Sequence, residues 1–145
     1  AECDAVVMAA AVADYRPADV APEKMKKDPG SDDGITLQMV RNPDILASLV
    51  RDRGEFPRPF LVGFAAETGD AHGDVLTHAR SKLERKGCDL LVANDVSGGG
   101  TFGADQSTIH LLSPGHDEIE TVGPGTKTET AHAVWDAVLR GRATR

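Results

Sequence analysis

Three short, almost uninterrupted apolar runs each break off into polar residues, and this pattern constrains the fold more than any other feature. Ala5 to Ala13, Phe60 to Ala66 and Asp89 to Ala93 are built almost wholly from Ala, Val, Leu, Met and Phe. Strands buried on both faces read this way, because helices cover both sides of a parallel sheet. The first run gives way to Asp14-Tyr15-Arg16-Pro17, the second to Glu67-Thr68-Gly69 and the third to Asn94-Asp95-Val96-Ser97. In open α/β sheets the carboxyl ends of the strands border the ligand crevice. The three polar clusters are therefore expected to meet in space, although they are far apart in the chain.

Helical patterns lie between these runs. Asn42-Pro43-Asp44 offers an N-cap residue and an N1 proline for a helix from about Pro43 to Arg53, which Gly54 ends. A second helix is expected from near Ala71 to Lys86, stopped by Gly87, with Val75, Leu76, Ala79 and Leu83 on one face. A third starts near Thr128, with Thr126 and Glu129 spaced as a capping box. Ile35 to Val40 alternates like a half-exposed strand at an edge or in a side hairpin, and Thr108 to Leu112 reads as a further strand before the turn Pro114-Gly115. The basic tail Arg142 to Arg145 is expected to fray. Right-handed crossovers then give one α/β domain over residues 1–145 with a mostly parallel sheet. Because the chain opens almost inside a strand, a segment is expected to precede Ala1.

A chain of 145 residues is ordinary for a single domain. Its formal net charge of -7 argues against a sequence-independent nucleic-acid surface, which needs clustered Lys and Arg, but leaves room for a small anion held by one local basic cluster. No apolar stretch approaches the roughly 18 residues of a membrane span, and the first residues lack a signal-peptide pattern. Cys3 and Cys88 are too few for a disulfide scaffold or a cysteine metal site. Both are expected to be buried thiols beside strands, in a reducing, cytoplasmic setting.

The sharpest local signal is Lys24-Met25-Lys26-Lys27, in a proline- and glycine-containing excursion from residue 17 to 34. Three ammonium groups so close repel one another, and a polyanion such as a triphosphate relieves that repulsion. The plainer reading is a solvated loop balanced by Asp28, Asp32 and Asp33. Lys82 and Lys86 are one turn apart near a helix C-terminus, where the dipole alone explains them, although Lys86 could reach a base or phosphate. Phe64 is either a core ring or a stacking surface for a base or ribose. Asp14, Glu67 and Asp95 could contact Mg²⁺ or ligand hydroxyls, but no two have the spacing of a metal motif, so the metal ligands stay unassigned. Gly98-Gly99-Gly100 lacks the Lys-Ser/Thr ending of a Walker A loop, the five histidines form no H-E-x-x-H, and neither G-x-G-x-x-G nor G-x-S-x-G occurs. A dinucleotide-dependent oxidoreductase is thereby disfavoured.

Taken together, the motifs resemble those of the phosphopantothenate–cysteine ligase family. They are Ala10-Ala11-Val12-Ala13-Asp14-Tyr15-Arg16-Pro17, Pro22-Glu23-Lys24-Met25-Lys26-Lys27, Asn42-Pro43-Asp44-Ile45-Leu46, Gly63-Phe64-Ala65-Ala66-Glu67-Thr68, Lys82-Leu83-x-x-Lys86-Gly87-x-Asp89-Leu90 and Ala93-Asn94-Asp95-Val96. The resemblance covers nearly the whole chain in matching order. It implies a Rossmann-like three-layer sandwich lacking its first strand–loop–helix, with a long Lys-rich loop or arm. It also implies CTP and Mg²⁺ as the activating pair, 4'-phosphopantothenate and L-cysteine as the joined substrates, and an acyl-cytidylate intermediate. FMN would belong only to the decarboxylase domain of a bifunctional parent. Carried over by motif, Lys24 is the essential lysine, with Lys26 and Lys27 assisting. Ala10, Ala11, Asp14, Phe64, Lys82, Lys86 and Asn94 join Lys24 around the nucleotide. A homodimer through the Lys-rich arm is a further implication, with no nucleic acid or membrane partner. The family's upstream Gly-rich loop and Asn-bearing motif do not occur in this chain, so it resembles the CTP-binding portion of the ligase domain. A non-catalytic nucleotide-binding or dimerisation module is the alternative.

Overall fold

The computed structural model describes residues 3–10, 12–26, 34–71, 73–96 and 105–144. These divide into two compact units, one formed by Ala1–Ala11 with Ile45–Arg145 and the other by Val12–Asp44.

The first unit is built on a five-stranded sheet in the order β1 (Ala5–Met8), β4 (Phe60–Glu67), β5 (Leu90–Asp95), β6 (Gln106–Leu112) and β7 (Glu120–Thr126), while β2 (Tyr15–Pro17) and β3 (Met39–Arg41) belong to the second unit. The strands read from the apolar runs, β1, β4 and β5, pair in parallel, with Val7 opposite Val62 and Glu67 opposite Asp95. The other two joins are antiparallel, so the sheet is mixed rather than uniformly parallel. The reason is local. β6 returns through a short turn containing Gly115, at φ 74°, and that connection suits a hairpin rather than a crossover. β7 was not anticipated, because Glu-Thr-Val-Gly-Pro-Gly-Thr carries a single large apolar residue. Its pairing with β6 slips between Ser107 and Ile109. Opposite the slip, Gly123 has φ 115° and lies so close to the neighbouring strand that a Cβ would sit 2.5 Å from Ser107 O, which only glycine tolerates.

Period-two alternation divides the strand side chains between two cores. Leu61, Ala65, Leu91, Ala93 and Leu112 pack with Leu46 of α1 (Ile45–Arg53) and with Ala79 and Leu83 of α2 (Val75–Lys86). Phe60, Val62, Leu90, Val92, Ile109 and Leu111 pack with Val134, Ala137 and Val138 of α3 (Lys127–Ala143). Gly63 permits the close fit of α1, since a Cβ there would lie 2.6 Å from Leu46 Cδ2.

The helix ends follow the sequence in part: α2 starts at Val75 rather than near Ala71, while its end and the start of α3 lie where expected. Asp74 caps α2 by accepting from Thr77 N at 2.7 Å, and Gly87 closes it in the left-handed conformation. The expected capping box opens α3: Thr126 Oγ1 accepts from Glu129 N, and Glu129 Oε2 accepts from Thr126 N. The expected fraying from Arg142 onward is not seen in the described part of the tail; α3 runs to Ala143, and Arg142 pairs with Asp4 at 2.9 Å, while Arg145 lies outside the described residues. Cys88 is fully buried, and burial pushes its thiol pKa up, whereas Cys3 is exposed, contrary to the expectation for both. Among the described residues no helix is long and apolar enough to cross a membrane.

The deepest polar feature is the carboxylate of Asp89. It accepts from Leu61 N at 2.7 Å and forms an ion pair with Arg53, whose guanidinium also donates to Pro59 O at 3.1 Å. The side chains of Asp89 and Arg53 are only 1% and 8% exposed.

In the second unit, β2 (Tyr15–Pro17) and β3 (Met39–Arg41) form an antiparallel ribbon with Arg16 opposite Val40, the side hairpin that the alternation of Ile35 to Val40 suggested. Asn42 belongs to this ribbon and not to a helix cap. Its Nδ2 donates to Ala13 O at 2.7 Å, and its Oδ1 accepts from Arg16 at 2.9 Å. The helix that follows begins at Ile45.

Two outcomes follow from these contacts. Asp89→Ala strands a buried guanidinium and is expected to cost about 3–5 kcal/mol in urea unfolding, whereas an Arg53→Met and Asp89→Leu double substitution costs less than either single change. The backbone N–H groups of Thr77 and Thr126 hold Asp74 and Glu129 below the ordinary carboxylate range. Depressed folded-state values stabilise the protein above the unfolded pKa, a contribution lost as pH falls through the folded value. Asp74→Ala with Glu129→Gln should therefore flatten the loss of stability below about pH 4, as read by thermal melts across that range.

Candidate functional site

The carboxyl ends of β4 and β5 lie side by side, so the polar residues that follow two of the apolar runs do meet. Ala66 is opposite Asn94 and Glu67 opposite Asp95, and Val96 N extends the ladder by donating to Glu67 O at 3.0 Å. β1 ends beside β4, with Met8 opposite Gly63, which brings Ala10 to the same end of the sheet; Ala10 is exposed. Phe64 is not a core ring, because its position near the strand end leaves it 39% exposed. It projects from the face of the sheet opposite Glu67.

Asn94 is half-buried, and its Oδ1 is buried without a hydrogen-bond partner among the described residues. An acceptor in that state costs free energy until a donor reaches it. Glu67, at the tip of β4, is 13% exposed in its side chain, and its Oε1 lies 2.5 Å from Lys82 Nζ. That contact spans two elements. It forms because α2 runs back along the sheet from the strand ends and helical side chains lean toward the helix N-terminus. Sequence reasoning had singled out Lys82 but not its pairing with Glu67. No spacing rule links residues 15 apart on a strand and a helix, although a Glu ending a strand before a Lys-bearing helix is a weak signal of it.

Lys86 lies one turn beyond Lys82, about 6 Å further from the strand ends. It is half-buried and already engaged in an interaction. In the second unit Asp14, Lys24 and Lys26 are all exposed, and Asp14 O accepts from Asn42 N at 2.8 Å. Ala11 and Lys27 lie outside the described residues, as do Ser97 and the Gly98-Gly99-Gly100 run. Among the described residues no three His, Cys, Asp or Glu side chains converge as a metal site would require. These donors therefore do not fit a resident metal cage.

The arrangement can hold a polar ligand at the ends of β1, β4 and β5, with an exposed ring on one face of the sheet and an acid–base pair on the other. Separately, the second unit presents two exposed lysines.

Comparison with known proteins matches residues 1–141 to a family described as the DNA/pantothenate metabolism flavoprotein C-terminal domain. The coenzyme A biosynthesis bifunctional protein CoaBC of Mycobacterium tuberculosis is 50% identical over 139 residues, which is 94% of this chain and 32% of that protein. The protein of the same name from Escherichia coli is 46% identical over 111 residues, covering 76% of this chain and 26% of its own. The chain thus spans about a quarter to a third of the length of these curated relatives. A crystal structure of the C-terminal domain of CoaBC superposes with a TM-score of 0.63 at 27% identity, over 94% of this chain and 55% of that one. The DNA/pantothenate metabolism flavoprotein from Streptococcus pneumoniae gives 0.62 at 25% identity, over 90% and 57%.

Proposed function

The chain belongs to the DNA/pantothenate metabolism flavoprotein C-terminal domain family, and from that membership we propose that it is the nucleotide-binding part of a phosphopantothenate–cysteine ligase acting in coenzyme A biosynthesis. The observation that carries the reading is 50% identity to CoaBC along 94% of the chain. The polar strand ends and the lysines of the Lys24-Met25-Lys26-Lys27 run supply groups suited to the chemistry.

The reaction would join 4'-phosphopantothenate to L-cysteine in two steps. The pantothenate carboxylate attacks the α-phosphorus of CTP, a P–O bond breaks, and pyrophosphate leaves with its electron pair. The cysteine amine then attacks the activated carbonyl, loses a proton, and expels CMP. A carboxylate accepts an amine poorly until one of its oxygens becomes part of a phosphate leaving group, and the first step spreads negative charge over the phosphate oxygens. Lys24 is the residue to which we assign stabilisation of that charge, with Lys26 and Lys27 assisting. Ala10, Ala11, Asp14, Phe64, Lys82, Lys86 and Asn94 are assigned to the nucleotide pocket. Mg²⁺ would arrive with the triphosphate as part of the substrate, and FMN would serve only the decarboxylase half of a bifunctional parent.

A homodimer in a cytoplasmic setting completes the reading. The second unit supports the dimer, because Tyr15, Val20, Met25, Ile35, Leu37 and Met39 are each between 46% and 92% exposed. A unit with so much exposed apolar surface among its described residues favours a partner.

Calorimetric titration with CTP, ATP and UTP in the presence of Mg²⁺ tests the nucleotide assignment, and CTP is expected to bind most tightly. A folded protein that binds none of the three would refute it. In the full-length ligase, Lys24→Ala should lower kcat roughly a hundredfold or more and weaken CTP binding, with the oligomeric mass unchanged. If the substitution changes the oligomeric mass and leaves kcat alone, the lysine run is an assembly element instead.

A further inference from the structure

We propose that the side-chain oxygen of Asn94 receives the amine of the second substrate, an α-amino acid, and favours its neutral, nucleophilic form. The inference rests on the ligase reading above. It leaves Asn94 at the border of the nucleotide pocket and gives its Oδ1 to the other reactant.

The first observation is an idle acceptor. Oδ1 of Asn94 is buried and has no hydrogen-bond partner among the described residues. Such a group destabilises the folded protein until a donor reaches it. The hydroxyls further along this face do not serve, because Ser107 and Thr130 face each other at 3.5 Å and Thr130 turns its hydroxyl to the backbone of its own helix. The terminal torsion of an asparagine is broad and two-fold, so a half-turn of the amide presents Oδ1 where Nδ2 now lies. Oδ1 surrenders no hydrogen bond in that turn.

The second observation is the set of neighbours. Alternation along β4 and β5 places Phe64, Ala66 and Asn94 on the face covered by α3, with Ile109 of β6 directly opposite Asn94. Phe64 and Ala66 are exposed, so this corner opens to solvent on the β4 side. Glu67 and Asp95 leave by the other face of the sheet. The register neighbours of Asn94 therefore carry no charge, and both carboxylates of the strand tips stand behind the sheet.

That distribution selects the donor. An acceptor oxygen has nothing to offer a phosphate or carboxylate oxygen, which leaves N–H and O–H groups. An amine attacks a carbonyl only through a free lone pair, so it has to bind without its third proton. A carboxylate would stabilise the ammonium, whereas a partly desolvated corner beside a neutral amide favours the uncharged amine. Of the four side chains that end β4 and β5, Ala66, Glu67, Asn94 and Asp95, it is Asn94 that offers an oxygen without a charge. In the step itself the amine nitrogen forms a C–N bond with the acyl carbon, and one of its protons passes to water. The C–O bond to the cytidylate phosphate breaks, and CMP leaves with the electron pair. The other N–H is held by Oδ1, which fixes the direction of the lone pair.

The two half-reactions separate the amine from the nucleotide. In the full-length ligase, pyrophosphate release from CTP and 4'-phosphopantothenate would be followed without cysteine, and amide formation would then be followed against cysteine concentration. The wild type is compared with Asn94→Ala, Asn94→Ser and Asn94→Asp. Asn94→Ala is expected to raise KM for cysteine roughly tenfold, a larger factor than any loss in pyrophosphate release. Asn94→Ser keeps an uncharged acceptor and should recover part of the loss. Asn94→Asp should move the rising limb of kcat/KM for cysteine to higher pH, because the introduced carboxylate holds the amine as ammonium. Thermal melts accompany each variant, and Asn94→Ala should melt no lower than the wild type, since it removes an unpaired acceptor. If Asn94→Ala does not fold, the serine and aspartate substitutions carry the test. A loss in pyrophosphate release as large as the loss in cysteine use would make Asn94 a nucleotide residue and overturn the proposal. So would a wild-type KM for cysteine in a folded Asn94→Ala protein, or an Asn94→Asp pH profile that does not move. A wild-type ligase that releases no pyrophosphate would instead overturn the ligase reading on which the proposal depends.

Discussion

The carboxylate of Asp89 ties together three elements that no other polar contact joins in the same way. It accepts from the backbone of Leu61 at the start of β4, it precedes β5, and it pairs with Arg53 in the last turn of α1. A buried ion pair is a weak source of net stability, because desolvation offsets most of the attraction. What it supplies here is geometry. Leu61 can reach Asp89 in one register only, and a slip of one residue would send every side chain of β4 to the wrong core. That register sets Val62 against Leu90 at one end of the pair and Glu67 against Asp95 at the other. The alignment of the polar strand ends is thus fixed at the opposite margin of the sheet, by a contact that takes no part in the site.

Much of this was legible in the chain. β4 and β5 were visible because residues buried on both faces leave an uninterrupted apolar run. The end of α2 and the start of α3 were visible because Gly87, Thr126 and Glu129 act through contacts a few residues away, whereas the start of α2 at Val75, capped by Asp74, lies four residues beyond the expected Ala71. The misreadings have a common physical cause: pairing with a distant segment decided the outcome. β7 has a polar sequence and becomes a strand only because β6 offers it a ladder. Asn42 carries a good capping side chain, yet the free carbonyl of Ala13 claims it. Cys3 reads as a buried thiol beside a strand but stays exposed, and Arg142 reads as a frayed tail but finds Asp4.

The candidate site was legible in a different sense. Residue types could be read, but not their partners. Lys82 was marked as a cation near a ligand, and its meaning changes once Glu67 occupies it. Phe64 was balanced between core and surface, and the position of α3 leaves it half open. Asn94 was expected to join the nucleotide pocket, and among the described residues its Oδ1 is buried without a hydrogen-bond partner. Lys24 and Lys26 stay exposed, as a reading of the sequence as a polar excursion suggests, and their assignment rests on family likeness rather than on contacts.

The two margins of the sheet are chemically unequal. At β7, Pro124 has no N–H to offer, Gly123 departs from strand geometry, and the register slip twists the ladder. Such an edge is a poor template for another strand. At β1, Ala5–Met8 carries no proline, glycine or charge, and all four residues are only half-buried. Among the described residues the two outermost strands therefore differ in kind: β7 is shaped against further pairing, whereas β1 is a plain apolar strand.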